Sequence, residues 1–519
     1  MNGLKRAAVC AALLLLTAGR LAAQDVALTS RDGSVEISGT LLGFDGEFYR
    51  VETDYGELTV DSSGVSCAGP GCPSLADFVA EVRLSGSATI GAVLMPALIE
   101  AFAARNDYTV SREDIDAERF VMRLSRADSG KLAASFTFRA SNTDEGFADL
   151  LADEADIVMA LRELRREERI NARERGLGDL TGANRSRVLA LDAVVPVVAP
   201  TNPVKQISPH TLARVFAGEI SNWQRLGGPD APISLHLPSR GSGLSQAIVD
   251  QVMAPAGLEL AENIRRHRLP ENLAEAVADD MFAIGITSFA EQRATEVLTL
   301  GGDCGFALDA ARRTIKTEDY PLTAPMFLYF PTRRLPLITR EFLAFTRSQT
   351  AQIIIRRAGF VDQAPEEIPV EEQGNRFANA IITAGSETSL KELQRMTATL
   401  VPMARLTTSF RFEAGSIRLD AQSRSNVRQL ARALEQGQYD ARRLMFVGFS
   451  DGEGPARANR EIALQRAEAV RRAVAAAAET ANLSRIDLRV AAFGEAMPMA
   501  CDDSAWGRQA NRRVEVWVR

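Results

Sequence analysis

Short apolar stretches alternate with amphipathic stretches through most of the chain. Between residues 78 and 363, apolar runs such as "VRLSGSATI" and "AVVPVVAP" are each followed by a helical pattern such as "GAVLMPALIEAFAARN". Alternating strands and helices predict an α/β domain with a largely parallel sheet. Because the segment is long, we expect it to form two lobes.

Two smaller segments flank this domain. Residues 24–76 alternate apolar and polar positions, with turn signals at Asp32-Gly33, Asp45-Gly46 and Tyr55-Gly56, and this pattern predicts a small β-barrel-like domain without a ligand. Residues 364–405 open with the acidic "APEEIPVEEQGN" and are predicted as a linker with one helix. Residues 406–519 again alternate strands and helices and predict an α+β domain, so the chain is multidomain.

The first residues predict export. Lys5 and Arg6 precede an apolar run from Ala7 to Ala18, and Ala22-Ala23 offer the small residues of a cleavage site. We therefore expect a signal peptide over 1–23. No later apolar run reaches the roughly 20 residues that a membrane-spanning helix needs.

Cysteine and histidine usage limits the chemistry. Cys67 and Cys72 in "CAGPGC" are close enough for a local disulfide, which an oxidising compartment permits, whereas Cys304 and Cys501 have no readable partner. The three histidines, His210, His236 and His267, are scattered along the chain. We therefore expect no metal site and no cofactor.

The charge balance argues against nucleic-acid binding. The chain carries 60 basic and 67 acidic side chains and a formal net charge of −7. A mildly acidic protein repels a phosphate backbone, so we expect no nucleic-acid partner.

Three loops of the α/β segment carry groups suited to an oxyanion. Two of them join a strand to a helix, where free backbone N–H groups and the helix dipole attract negative charge. A third strand ends beside an arginine that could supply a counter-charge. Each pattern alone is also typical of a simple helix cap. The candidate anion-binding residues are Ser87, Thr89, Arg162, Ser239, Ser242 and Gly243.

Taken together, these loops carry a resemblance to a known family. The segment from Leu84 to Gln363 resembles the periplasmic phosphate-binding proteins of ABC transporters, whose two lobes close over the ligand. This resemblance implies Ser87, Thr89, Ser242 and Gly243 as donors and leaves open an ABC transporter permease as a partner. The strings that carry it are "GSATIG", "ADIVMALREL", "VVPVVAPTNPVKQIS", "LARVFAGEISNWQRLGG", "SRGSGLS", "AIGITS" and "YPLTAPMFLYF".

The segment also departs from that family. Pro238 stands where the family usually has an arginine, Arg240 where phosphate binders often have a carboxylate, and Leu244 where they have a threonine. Each missing partner removes a charge-assisted or neutral hydrogen bond to the ligand. The ligand could therefore be phosphate or another oxyanion, or the domain could have become an interaction module.

A charged pair marks the C-terminal segment. In "FVGFSDGEGPARANREIALQRAEAV" a strand ends at Asp451 and the following helix carries Asn459 and Arg466 on one face. Opposite charges at this spacing suit a zwitterionic head group. On the spacing alone, a capping role for Asp451 and a solvated surface charge for Arg466 are the simpler interpretation.

The sequence around this pair favours binding of a zwitterionic head group over the simpler interpretation. "FEAGSIRL", "GFSDGEG", "NREIALQRAEAV", "FGEAMP" and "GRQANRRVEVWV" occur in this order and resemble the peptidoglycan-binding domain of the outer membrane protein A (OmpA) family. The resemblance implies that Asp451 binds the ammonium and Arg466 the carboxylate of the diaminopimelate side chain in the wall peptide, with Asn459 in support. It also implies a location in the periplasm, at the peptidoglycan and the outer membrane.

The sequence thus predicts a non-catalytic envelope protein that holds peptidoglycan and binds a small oxyanion. The alternative is an envelope scaffold whose two-lobed domain has lost its ligand. An enzyme is disfavoured, because no Cys/His pair or close carboxylate dyad stands in a recognisable context.

Overall fold

The structure is a computed structural model that describes residues 25–75, 77–182, 184–302, 306–385, 387–413, 416–502 and 505–519. The predicted signal peptide 1–23 and Cys304 lie outside these residues. Within the described ranges, no helix combines the length and the apolar character needed to cross a membrane. The multidomain fold class predicted from the sequence is confirmed.

A small antiparallel sheet comes first, in the strand order β4-β3-β2-β1-β5. Its alternation of inward apolar and outward polar residues buries Leu28, Tyr49 and Val51 in a core of its own. The predicted Cys67–Cys72 disulfide is confirmed, with the two Cα atoms 5.8 Å apart. The strands are β1 (Val26–Ser30), β2 (Glu36–Phe44), β3 (Phe48–Thr53), β4 (Gly56–Asp61) and β5 (Val65–Ala68).

The two-lobed domain is built on one long curled sheet, whose main path runs β14-β13-β15-β11-β19-β10-β6-β9-β8-β7. The prediction of a largely parallel sheet was wrong, because four neighbouring pairs along this path are parallel and five are antiparallel. Its strands are β6 (Ala80–Ser87), β7 (Tyr108–Asp114), β8 (Arg119–Arg126), β9 (Leu132–Ser141), β10 (Ile157–Ala160), β11 (Ser186–Val198), β12 (Gln206–Ile207), β13 (Ser234–Pro238), β14 (Arg265–His267), β15 (Ala283–Ser288), β16 (Glu296–Val297), β17 (Thr299–Gly301), β18 (Ala307–Leu308) and β19 (Thr323–Tyr329).

Helices cover both faces of this sheet, as expected for strands that are buried on both sides. They are α1 (Met95–Arg105), α2 (Thr143–Leu151), α3 (Arg166–Glu174), α4 (Pro209–Phe216), α5 (Gly243–Ile248), α6 (Ala254–Ala256), α7 (Pro270–Ala278), α8 (Arg312–Lys316), α9 (Leu337–Phe345) and α10 (Gln349–Arg357).

Strand β11 connects the two lobes. Its first part pairs with β19 and the first lobe, whereas Val194 to Val198 pair with β15 of the second lobe. Because one continuous strand belongs to both lobes, the loops at the ends of β6, β9 and β13 meet at the junction between them. This junction is the cleft of the domain.

The C-terminal sheet has the strand order β20-β21-β24-β22-β23. The segment predicted as a linker with one helix instead contributes the edge strand β20 and two helices that pack with Trp517 and Phe493. The strands are β20 (Glu367–Ile368), β21 (Ala404–Phe410), β22 (Arg443–Phe449), β23 (Asp487–Gly494) and β24 (Arg513–Val518). The helices are α11 (Gly374–Ile382), α12 (Leu390–Leu400), α13 (Ala421–Glu435), α14 (Ala456–Ala477) and α15 (Ala505–Asn511).

A buried ion network joins the C-terminal domain to the two-lobed domain. The Arg405 guanidinium donates to both carboxylate oxygens of Asp319, at 2.7 and 3.1 Å. Arg405 also lies 3.4 Å from Glu515, which accepts from Arg513 in the same sheet. Such fully buried charges require partners, so this network fixes how the two domains pack.

Candidate functional sites

Two serine hydroxyls lie side by side in the first lobe of the cleft. Ser87 ends β6 and Ser141 ends β9, and the two residues are directly opposite each other in the parallel pairing. Both hydroxyls are buried and have no hydrogen-bond partner among the described residues. An unpartnered buried hydroxyl is costly, so this pair is prepared to donate to a ligand oxygen. Ser87 was expected from the sequence and Ser141 was not.

The second lobe meets Ser87 through a glycine. A Cβ atom placed on Gly243 would lie 2.8 Å from the Ser87 hydroxyl oxygen, so only glycine permits this approach. The Ser242 hydroxyl accepts from the Ser245 N–H at 3.1 Å and thereby caps the helical run that begins at Gly243. The structure therefore brings Ser87 and Gly243 together, with Ser242 as a cap beside them.

Further contacts close the two lobes on each other. The Asn142 side-chain amide, directly after β9, donates to the Gly241 carbonyl across the cleft at 3.1 Å. Thr89 is half-buried and precedes a π-helical turn at Ile90–Leu94, where its side chain makes no capping bond. π-Helical turns are frequent at functional sites.

The geometry does not place Arg162 or Ser239 as available donors. Arg162 forms salt bridges with Asp144 and with Glu168, the latter at 2.6 Å, and Asp250 lies 3.9 Å away. These carboxylates neutralise the guanidinium. The Ser239 hydroxyl donates to the His267 carbonyl at 3.1 Å, which fixes the second-lobe loop.

The second lobe also contains a histidine pair that the sequence did not suggest. His236 on β13 and His267 on β14 are distant in sequence, but their ring nitrogens lie 2.9 Å apart because the two strands are neighbours. Burial, reinforced by the charge that His267 would carry, lowers the pKa of His236 to about 4. Both rings are therefore neutral near pH 7. No cluster of three or more metal-ligating side chains occurs among the described residues.

A second candidate site lies at the end of β22. Asp451 follows this strand and accepts a hydrogen bond from Arg512 at 2.6 Å. The helix α14 begins at Ala456 with Pro455 in the capping position, so Asp451 is not its cap. Arg512, immediately before β24, was not singled out from the sequence, although it lies within the quoted string "GRQANRRVEVWV".

Arg466 faces the same pocket from α14. Only 6% of Arg466 is exposed, so it is not a solvated surface charge. Its guanidinium lies over the ring of Phe412 at 5.1 Å, and its Nε is buried with no partner among the described residues. Burial and the nearby Arg512 lower the pKa of Arg466, and the charge of Asp451 opposes this shift.

Close packing of helix and strand brings Arg466 to this position. A Cβ atom on Gly448 would lie 2.0 Å from the Ala463 carbonyl oxygen, so glycine lets α14 approach β22 closely. Asn459 is also buried, but its side-chain amide donates to Glu495 at 2.8 Å and to the Gly454 carbonyl at 3.3 Å. Asn459 therefore holds the neighbouring loops together in the structure.

A cavity of about 270 Å³ lies between the two lobes and the C-terminal domain. Glu163, Glu318 and Asp420 line it together with Arg411. Although part of the Glu163 side chain is open to solvent, desolvation and the charge of Asp420 raise its pKa to about 7. The same two causes raise the pKa of the more enclosed Glu318 to about 8. The two domains therefore meet at carboxyl groups whose pKa values lie above the ordinary value of 4.5.

Comparisons with known proteins find matches for both the two-lobed domain and the C-terminal domain. A family model described as a PBP superfamily domain matches residues 73–350, and a model of the OmpA family matches residues 411–512. The phosphate-binding protein PstS of Bacillus subtilis is 28% identical over 188 residues, or 36% of this chain and 60% of that protein. The chain thus covers less than two thirds of this relative.

Two further proteins are similar to about half of this chain. Protein SphX of Synechococcus elongatus is 24% identical over 273 residues, or 48% of this chain and 77% of that protein. An ABC-type phosphate transport receptor from Vibrio cholerae aligns at 18% identity with a TM-score of 0.41, over 54% of this chain and 99% of that chain. Since the PBP superfamily model spans more than half of the residues, the chain belongs to the PBP superfamily and carries an OmpA family domain after its two lobes.

Proposed function

We propose that this protein is a non-catalytic component of the cell envelope that holds peptidoglycan with its OmpA family domain and binds a small oxyanion between its two lobes. Both matched families are known for binding rather than catalysis. The proposal places the protein in the periplasm, associated with the peptidoglycan and the outer membrane. An ABC transporter permease is a further candidate partner.

The observation that carries the proposal is the burial of Arg466 beside Asp451. A buried guanidinium whose Nε has no partner among the described residues, opposite a carboxylate, suits a ligand that brings a carboxylate and an ammonium together. The diaminopimelate side chain of the wall peptide has this head group. Its carboxylate would bind Arg466, and its ammonium would join Arg512 at Asp451.

The cleft supports the second activity. An oxyanion at the lobe junction would accept from the hydroxyls of Ser87 and Ser141 and from the backbone at Gly243. Each of these hydroxyls would gain a hydrogen bond that no described residue supplies, typically about 1 kcal/mol or more. Thr89, two residues after Ser87, is the candidate for a third hydroxyl donor. Phosphate is one candidate, since several relatives are named as phosphate-binding proteins.

Co-sedimentation with purified peptidoglycan tests the wall-binding activity. The full chain should sediment with peptidoglycan that carries diaminopimelate peptides and remain in solution with glycan strands from which the peptides were removed. Equal sedimentation with both preparations would contradict the assignment of the ligand.

Thermal unfolding with a panel of anions tests the cleft. Phosphate, sulfate, arsenate and molybdate would be compared at constant ionic strength, with chloride as the reference. At least one oxyanion should raise the melting temperature of the parent and not that of the variant Ser87→Ala/Ser141→Ala. The absence of any such effect would contradict oxyanion binding in the cleft.

A ligand-free scaffold is the second candidate function. The observation that favours it is the neutralisation of Arg162 by three carboxylates, which removes the expected counter-charge from the cleft. In that case no oxyanion would stabilise the parent, but sedimentation with peptidoglycan would be retained. The two experiments together therefore separate the two functions.

A further inference from the structure

Four arginines converge where the helix α13 of the OmpA family domain packs on the hinge strand β11. Arg428 and Arg432 occupy successive turns of one face of α13. Arg187 lies in β11, and Arg347 lies in the turn between α9 and α10. Arginines from three separate elements and two domains therefore share one location.

Hydrogen bonds place these elements in direct contact. Arg428 donates to the Ser186 carbonyl at 3.3 Å, immediately before Arg187. Arg187 in turn donates to the Leu343 carbonyl and, at 3.2 Å, to the hydroxyl of Thr346, which precedes Arg347. The Arg187 Nε is buried and has no partner among the described residues.

The cluster lacks negative charge. Burial and the charges of Arg347, Arg432 and Arg428 lower the pKa of Arg187 well below its usual range. Burial and the charges of Arg432 and Arg428 lower the pKa of Arg347 to about 10. No described carboxylate raises the pKa of Arg187 or of Arg347.

The lack of negative charge is confined to the arginine cluster. Elsewhere in the same interface each buried cation has an acidic partner, as Arg405 has Asp319 and Lys316 has Asp362. The chain as a whole is acidic, with a formal net charge of −7. All four arginines are partly open to solvent, so an anion from outside the described protein can reach and neutralise them.

We propose that Arg187, Arg347, Arg428 and Arg432 form a second anion site, separate from the cleft, which binds a phosphoryl-type polyanion where the two domains meet. Several planar guanidinium groups suit phosphoryl oxygens, which accept paired hydrogen bonds and carry close to two negative charges at neutral pH. Helix α10 begins two residues after Arg347, and the positive end of its dipole adds to the positive electrostatic potential of the arginines. The same chemistry occurs in soluble phosphorylated molecules and in anionic lipid headgroups.

Calorimetric titration of the full chain with pyrophosphate tests the proposal. The main variant is Arg432→Gln, since the Arg432 side chain anchors no described element through a hydrogen bond or ion pair, so folding should survive. We expect pyrophosphate to bind at least tenfold more weakly to this variant than to the parent. Arg472→Gln is the charge-matched control, because Arg472 is exposed on α14, and it should bind like the parent.

A cleft variant separates this site from the oxyanion site. Ser87→Ala/Ser141→Ala should retain the binding that Arg432→Gln loses, whether or not the cleft binds an anion. If the cleft variant loses all binding while Arg432→Gln keeps it, the pyrophosphate site is the cleft and the proposal is wrong.

A vesicle assay distinguishes the two sources of the phosphoryl group. Vesicles of phosphatidylcholine with phosphatidylglycerol would be compared with phosphatidylcholine alone. Loss of vesicle binding in Arg432→Gln without a change toward pyrophosphate would identify a lipid headgroup, and the opposite result would identify a soluble ligand. Equal behaviour of Arg432→Gln and the parent toward both ligands would overturn the proposal.

Stability without ligand gives an independent readout. Arg432→Glu places a carboxylate among the remaining arginines, so the melting temperature at low salt should rise while stabilisation by pyrophosphate disappears. A lower melting temperature for Arg432→Glu than for Arg432→Gln would show that the cluster is already neutralised, which also contradicts the proposal.

Discussion

Arg512 donates a hydrogen bond to the Asp451 carboxylate across 2.6 Å, so the carboxylate proposed to bind the ligand ammonium already holds one cation. Arg466 faces the same carboxylate and contributes a second cation to the pocket. One carboxylate between two guanidinium groups leaves net positive charge, which attracts the ligand carboxylate. The Asp451–Arg512 pair also fixes the orientation of Asp451 before any ligand arrives.

We expect both Asp451→Ala and Arg466→Ala to lose most of their co-sedimentation with peptidoglycan. Each change leaves one half of a zwitterionic head group unpaired, and a charged hydrogen bond of this kind typically contributes about 1.5–3 kcal/mol. The double variant should add little to either single change, because the two residues act as a unit. The measurement is the fraction of protein that sediments with diaminopimelate-containing peptidoglycan.

Two controls accompany these variants. Arg472→Gln removes an exposed charge from the same helix as Arg466 and should sediment like the parent. Circular dichroism should show a folded domain, since neither Asp451 nor Arg466 belongs to the main apolar core of the domain. If both alanine variants sediment like the parent, the charged pair does not bind the wall.

We expect Gly243→Ala to weaken oxyanion binding more than Ser87→Ala does. The added methyl group would lie 2.8 Å from the Ser87 hydroxyl oxygen and would force the lobes apart, whereas Ser87→Ala removes one donor, with a typical effect of about 1 kcal/mol. Calorimetry with the oxyanion that stabilises the parent measures both effects. Gly241→Ala is a suitable control, because a Cβ atom at that position meets no other atom. Parent-like affinity in Gly243→Ala would show that the ligand does not bind between closed lobes.

The sequence was sufficient to predict a PBP-like domain followed by an OmpA family domain, and the proximity of Asp451 to Arg466, whose role in wall binding stays a prediction. Strand and helix alternation is a local pattern, and both residues belong to one strand-turn-helix unit whose geometry the spacing determines. The same local reasoning predicted the Cys67–Cys72 disulfide, which spans a single tight turn.

Contacts between distant segments were not predictable in this way. Ser141 reaches Ser87 only through the pairing of β6 with β9. Arg162 looked like a free counter-charge because its carboxylate partners come from other elements, among them Asp250 of the second lobe. Strand order and lobe closure determine such contacts, and one sequence does not specify either.

We expect the protein to lose stability as pH rises, in part because of Glu318. Its pKa is raised to about 8 from an ordinary value of 4.5, so between these limits the folded state binds a proton that the unfolded state has released. Stability from this group is therefore complete below about pH 4.5 and declines up to about pH 8. Glu318→Gln removes the titration while nearly preserving shape, and its melting temperature should depend less on pH between 5 and 9.

An exposed carboxyl provides the comparison for this experiment. Glu479→Gln changes a solvent-exposed side chain and should leave the pH profile of the parent intact. A profile for Glu318→Gln that also matches the parent would show that the Glu318 carboxyl is ionised in the folded protein.

We expect Asp319→Ala to destabilise the packing of the OmpA family domain on the two lobes. Asp319 accepts two hydrogen bonds from Arg405, and both side chains are almost fully buried, so its removal leaves Arg405 with Glu515 as its remaining acidic partner among the described residues. The buried Arg411 also loses a carboxylate 3.7 Å away. Loss of one partner from a buried pair typically costs about 3–5 kcal/mol. Urea unfolding of Asp319→Ala should therefore show a lower midpoint.

The control variant is Asp487→Ala, which breaks a solvent-exposed pair with Arg443 and should cost no more than about 1 kcal/mol. The paired variant Asp319→Leu/Arg405→Met should recover part of the loss, because Arg405 no longer needs a carboxylate, whereas Arg411 still loses Asp319. Equal midpoints for Asp319→Ala and Asp487→Ala would show that this network does not hold the domains together.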